Sequence, residues 1–169
     1  MSNYTVTFQT KPNQQELTDF LEKAFEEIAD QDAFTTETDQ TLEEWFSVSS
    51  MIKYLPQGML AEARNENGTL IGAIFIGKHQ PLFWADGHKM EIFILAIDKS
   101  YRKQGIAKAL LRAAEQYAKK EKAEKILVTT HIAMKTVINY YEKNGYSKIG
   151  VLQDYYDNGD AVYFAKLLR

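Results

Sequence analysis

Along this chain the spacing of apolar positions switches between two and three-to-four, and each switch marks a change of element. Alternation from Tyr4 to Gln9 predicts a first strand, stopped at Pro12-Asn13. Leu17, Phe20, Leu21, Phe25 and Ile28 then fall on one face of a helix over Gln15 to Ala29. After a polar stretch, Thr41-Leu42-Glu43-Glu44 reads as a capping box opening a second helix with Trp45, Phe46 and Met51. Strands follow over Met59 to Ala63 and Thr69 to Ile76, with Asn67-Gly68 between them as a type I′ turn signal. A loop over Lys78 to His88 leads to Ile92-Phe93-Ile94-Leu95-Ala96-Ile97, the continuous apolar run of a strand buried on both faces. Helical spacing returns from Gly105 to Lys122, then a strand from Lys125 to Thr130 and a helix from about Ala133 to Asn144-Gly145. Strands over Tyr146 to Gln153 and Ala161 to Leu167 meet at Asp157-Asn158-Gly159-Asp160. The order β-α-α-β-β-β-α-β-α-β-β predicts an α/β layered fold, a single domain over residues 1–169.

The join between the buried strand and the third helix breaks the usual rules for a helix start. No Ser, Thr, Asp or Asn stands immediately before the helix to cap its orphan amides. Arg102, Lys103 and Lys108 crowd the positive end of the helix dipole, where acidic residues are normally favoured. Free amides with added cations suit an anionic ligand, and Gly105 would let backbone come close to phosphates. Arg102 to Lys108 therefore reads as a polyphosphate cradle.

Composition narrows the choices. A chain of 169 residues with 45% hydrophobic content can build one substantial core. Its net charge of −3 argues against a general nucleic-acid binder. Charge is uneven: residues 24–52 carry eight acidic side chains and no Lys or Arg, whereas residues 99–148 carry twelve basic against four acidic. A polyanion suits the second region and a cation the first. With no cysteine, disulfides and thiolate metal sites are excluded, and no metal is expected. No apolar run is of bilayer length and no signal-peptide pattern follows Met1, so no membrane role and a cytoplasmic address are expected.

Three pieces occur in order: Glu91-Ile-Phe-Ile-Leu-Ala-Ile97, Arg102-x-x-Gly105-x-Ala107, and Tyr141-Glu142-Lys143-Asn144-Gly145-Tyr146. With this element order they resemble the GNAT superfamily of N-acetyltransferases over nearly the whole chain. The resemblance implies a central, mixed but mostly antiparallel twisted sheet of about seven strands flanked by about four helices. It also implies acetyl-CoA as donor and an amine as acceptor. Leu95, Ala96 and Ile97 match the segment whose backbone pairs with the pantetheine arm. The match to the pyrophosphate loop runs through Arg102, Lys103, Gln104, Gly105, Ile106, Ala107 and Lys108, and Tyr141 matches the tyrosine that protonates the departing sulfur. Seven residues before that tyrosine many members carry Asn to contact the cofactor; here the residue is Met134. A Rossmann reading fails for lack of Gly-x-Gly-x-x-Gly, and a Walker-type loop for lack of Gly-Lys-Ser/Thr.

Acylating an amine needs that amine neutral. Deprotonating an alkylammonium of pKa about 10.4 at pH 7 costs about 4.6 kcal/mol, which desolvation or a base must offset. Glu91, opening the buried strand, is the candidate base through water; the corresponding residue is glutamate in the histone-acetylating branch. It reads equally as a solvated strand-edge carboxylate. His131 is a second candidate base, or a turn residue. Tyr141 shares a helix face with Met134, Val137 and Ile138, so periodicity alone allows plain packing, and the resemblance favours the acid. In relatives the acceptor groove is lined by the first two helices, the loop before the buried strand and the final hairpin. Here these carry Glu26 to Glu44, Phe83, Trp84 and Asp154-Tyr155-Tyr156-Asp157, suited to a cationic amine. Tyr155-Tyr156 followed by Gly159-Asp160-Ala161 also looks like the terminal hairpin of enzymes that acetylate protein N-termini. A small-molecule amine and a peptide amine both stay open, as does a homodimer. The competing classes are a non-catalytic acyl-CoA binding domain and a structural interaction domain.

Overall fold

A computed structural model describes residues 3–29, 48–79, 88–156 and 159–168. The elements are β1 (Tyr4–Gln9), α1 (Gln14–Ala29), α2 (Val48–Tyr54), β2 (Gly58–Asn65), β3 (Leu70–Lys78), β4 (Lys89–Ile97), α3 (Ile106–Lys120), β5 (Lys125–His131), α4 (Lys135–Lys143), β6 (Ser147–Tyr156) and β7 (Gly159–Leu167). One seven-stranded sheet runs β1-β2-β3-β4-β5-β7-β6. Every neighbouring pair is antiparallel except β4–β5, which α3 connects. The element order and the mixed open sheet are those expected from the chain. The capping box at residues 41–44, with Trp45 and Phe46, lies outside the described residues, as do Phe83, Trp84 and Asp157.

The sheet carries a core on each face. Leu17, Phe20, Leu21 and Ala24 form the stripe that α1 buries against Leu60, Ala73, Phe75, Ile94 and Ala96. Asn13, read from sequence as part of a stop, begins this helix, its side chain accepting the Glu16 amide at 3.2 Å. On the other face Ile106, Leu110, Leu111 and Ala114 of α3 pack with Ile71, Ile74, Met90, Ile92, Ile126, Val128, Tyr141 and Phe164. A Cβ at Gly72 would sit 2.9–3.1 Å from Ile97, Ile106 and Leu110, so only glycine lets α3 lie this close to β3.

Two local features differ from expectation. The β2–β3 turn is not type I′, because Gly68 has φ +80° while Asn67 has no positive φ. Gly68 N–H closes on the Asn65 carbonyl, and the Asn65 side chain accepts the amides of Asn67 and Thr69, so Asn65 organises a longer turn with a bulge. In β4, Phe75 pairs with Ile94 but Ile76 pairs with Ile92, leaving Phe93 as one extra residue. That bulge reverses the strand's parity. Before it, Met90 and Ile92 face the α3 core; after it, Leu95 and Ile97 do, with Ile94 and Ala96 turned to α1.

Candidate active site

The two parallel strands part company at the bulge. Their ladder runs from Lys89↔Lys125 to Ile92↔Val128 and stops, although β4 stays paired with β3 up to Ile97 and β5 with β7 up to His131. Between Phe93 and Ile97, β4 therefore has an edge with no strand partner among the described residues. Main-chain donors and acceptors along Leu95, Ala96 and Ile97 are placed to pair with an extended ligand as a further strand would.

That open edge leads directly into the loop before α3. Asp98 caps a short 3-10 turn by accepting the Ser100 amide, and Arg102 turns its Nε back onto the Ile97 carbonyl at 3.2 Å. Arg102 thus braces the loop against the strand end. Lys103 (φ 63°) and Gly105 (φ 85°) both hold left-handed backbone, costly for lysine and natural for glycine. No side chain caps α3, and the first backbone bond runs from Ala109 N–H to the Gly105 carbonyl. The amides of Ile106, Ala107 and Lys108 precede that bond and open the helix. Lys103, Gln104, Gly105 and Lys108 are exposed around them, whereas the Ile106 side chain belongs to the core. Oriented amides, a helix dipole and two exposed ammonium groups suit a phosphate-bearing ligand.

Tyr141 is buried at 3% exposure, facing Tyr146 edge-on at 5.4 Å and Tyr140 at 5.7 Å, with Phe164 at 6.1 Å. Burial, then the neighbouring Tyr140, raises its phenol well above the ordinary tyrosine value, so it stays a proton donor at neutral pH. Burial and the Glu115 charge push Tyr140 up to about 12. Beside them Glu115 pairs with Lys166 at 2.9 Å and accepts from Tyr146 at 3.3 Å. Met134 stands at the start of α4, its sulfur accepting from Thr130 Oγ1 at 3.4 Å and its carbonyl taking the Val137 and Ile138 amides.

Glu91 lies at the closed end of the fork, opposite Gly77 on β3 and Leu127 on β5. It is not a lone carboxylate. His79 Nδ1 sits 2.8 Å from Glu91 Oε2, with side-chain exposures of 29% and 20%. Beside the pair the Phe93 ring stacks on Phe75 at 5.7 Å and covers Gly77. Tyr163 of β7 stands opposite Thr129 in the β5–β7 ladder; burial, then the Tyr155 phenol, with a smaller effect of the Glu91 charge, raises its pKa. Tyr155 is half exposed and packs edge-on against Tyr156 and Tyr163. His131 is buried under Tyr156, and its Nδ1 accepts the Ala133 amide in the turn after β5. His79, Thr129 and Tyr163 were not singled out from the sequence. Period-two spacing places Tyr163 on one face with Ala161 and Ala165, but nothing in the sequence sets the register that joins His79 to Glu91.

Among the described residues no group of three or more His, Asp or Glu could hold a metal, and no helix is long and apolar enough to cross a membrane. The family model described as acetyltransferase (GNAT) family matches residues 15–146. An N-alpha-acetyltransferase of Sulfurisphaera tokodaii is 32% identical over 87 residues, 51% of this chain and 50% of that protein. Another, from Saccharolobus solfataricus, is 33% identical over the same shares of each. The chain thus spans about half the length of the curated relatives it matches. In structure, a chain of the NatC complex bound to Gag peptide and CoA aligns over 99% of both chains with a TM-score of 0.75 at 17% identity, a likeness of fold.

Proposed function

The chain belongs to the acetyltransferase (GNAT) family, and on that footing we propose that it moves an acetyl group from acetyl-CoA to the amine of a peptide or protein. The observation that carries this is the unpaired edge of β4 from Phe93 to Ile97 running into the uncapped start of α3. Those residues fit the donor: Leu95, Ala96 and Ile97 offer backbone to its arm, and the amides from Gly105 to Lys108, with Lys103 and Lys108, offer positive charge to its phosphates. Acetyl-CoA supplies the acetyl group as a thioester; the acceptor nitrogen forms the C–N bond as the C–S bond breaks and sulfur leaves with the electron pair.

The chain's own groups handle protons and placement. Tyr141, held as a neutral phenol by burial, gives a proton to the sulfur. Glu91 anchors the base side of the acceptor face, and Tyr155, Tyr156 and Tyr163 line the aromatic rim where a peptide would lie. A peptide acceptor is favoured over a small amine by this open rim and by the two relatives named N-alpha-acetyltransferase. Residues 1–169 would act as one domain around the single sheet.

Thiol release from acetyl-CoA, measured across short peptides with free N-termini, peptides blocked at the N-terminus but carrying lysine, and polyamines, tests the proposal. Stimulation by free N-terminal peptides is expected. Equal rates with and without any amine would overturn it.

A further inference from the structure

Resting on the acetyl-transfer reading, we infer that His79, oriented by Glu91, is the group that takes the proton from the acceptor ammonium. Four observations converge. The Nδ1–Oε2 separation of 2.8 Å is that of a charge-assisted hydrogen bond, in which Nδ1–H donates to the carboxylate. That tautomer leaves Nε2 with its lone pair, and no described residue hydrogen-bonds to Nε2. Second, the imidazole is firmly held: its backbone amide donates to the Lys89 carbonyl at 3.0 Å, extending the β3–β4 ladder one residue past Lys78. Third, the pair stands two residues before the Phe93 bulge, where the fork between β4 and β5 begins to open. Fourth, Glu91 shares its face of the sheet with Tyr163, Thr129 and the exposed Tyr155, the rim an acceptor would cross.

The arrangement follows the logic of a base aligned by a partly buried carboxylate. Glu91 fixes the ring and stabilises the imidazolium; Nε2 receives the ammonium proton and returns it to solvent after the amine, now neutral, has reacted. Once the C–N bond has formed, the nitrogen loses its second proton, which replaces the one Tyr141 passes to the sulfur, so the proton count closes and no co-reactant is needed.

Substitution of His79 separates these roles. Asparagine keeps a donor at the position of Nδ1 and so can still hold Glu91, but has no basic nitrogen. His79→Asn is expected to lower kcat by about 10²-fold with little change in KM. The titratable group bonded to the ring is Glu91 of β4, so Glu91→Gln is run in parallel. The double variant should be no slower than His79→Asn alone. In His79→Ala, added imidazole should restore part of the rate. A His79→Asn enzyme within about threefold of wild type, or a His79→Ala enzyme that added imidazole does not rescue, overturns the inference and leaves acetyl transfer intact. A wild-type protein releasing no thiol with any amine overturns both.

Discussion

Lys23 Nζ lies 2.9 Å from Asp98 Oδ2, which ties α1, on one face of the sheet, to the turn that launches the loop before α3. Asp98 is largely shielded while Lys23 is mostly exposed, so the carboxylate is the more consequential partner. The same carboxylate holds the Ser100 amide, and through it the entry to residues 102–108.

Asp98 therefore makes the loop sensitive to acid. Burial alone would raise its pKa, but the bonds from Lys23 and the Ser100 amide outweigh it and leave the value below that of an ordinary aspartate. A lowered folded-state pKa adds stability above the unfolded value, about 3.9, and that stability is lost as pH falls through the folded value. Urea unfolding followed from pH 6 down to pH 2.5 should show less acid loss in Asp98→Asn than in the wild type.

Gly105→Val forces a β-branched residue into left-handed backbone at the head of α3. Space is not the obstacle, since the nearest atom to an added Cβ is Tyr4 Oη at 3.7 Å. The conformation costs about 1 to 2 kcal/mol, and relieving it would rotate the amides of the cradle. Calorimetric titration should show acetyl-CoA affinity falling at least about tenfold, with a stability loss near that figure.

Arg64 tests stability away from the chemistry. Its guanidinium meets both oxygens of Glu16, at 2.8 and 2.7 Å, and reaches the fully buried Glu62 at 2.9 Å. Arg64→Ala strands the Glu62 carboxylate in the core, and a loss of about 3 kcal/mol is expected by denaturant unfolding. At a temperature where the variant stays folded, its kcat should match the wild type.

Tyr141→Phe removes one hydroxyl and keeps every ring contact. Rate should drop by about 10²-fold while acetyl-CoA affinity and melting temperature stay close to wild type. Because burial raises this phenol, the wild-type rate should show no alkaline loss from Tyr141 up to pH 10.

Much of this was legible beforehand where burial is extreme. The β4 run and the α3 stripe are read correctly as strand and helix from their apolar spacing, but β4 is not covered on both faces throughout, since Phe93 is 47% exposed. The uncapped start of α3 is legible for a different reason, since no Ser, Thr, Asp or Asn stands immediately before it. Local chemistry hid other parts. Asn67-Gly68 signalled a two-residue turn, but Asn65 captures two amides and draws the turn wider. The Phe93 bulge reverses parity inside an all-apolar run, where no polar residue exists to betray the shift. The His79–Glu91 pair depends on β-ladder register between β3 and β4, which the sequence does not set.

Residue-resolved hydrogen exchange with and without acetyl-CoA tests the central claim most directly. Slowed exchange confined to amides between Phe93 and Ile97 and from Gly105 to Lys108 is expected, from the free strand edge and the open helix end being occupied together. Unchanged exchange at both segments under saturating acetyl-CoA would contradict the account.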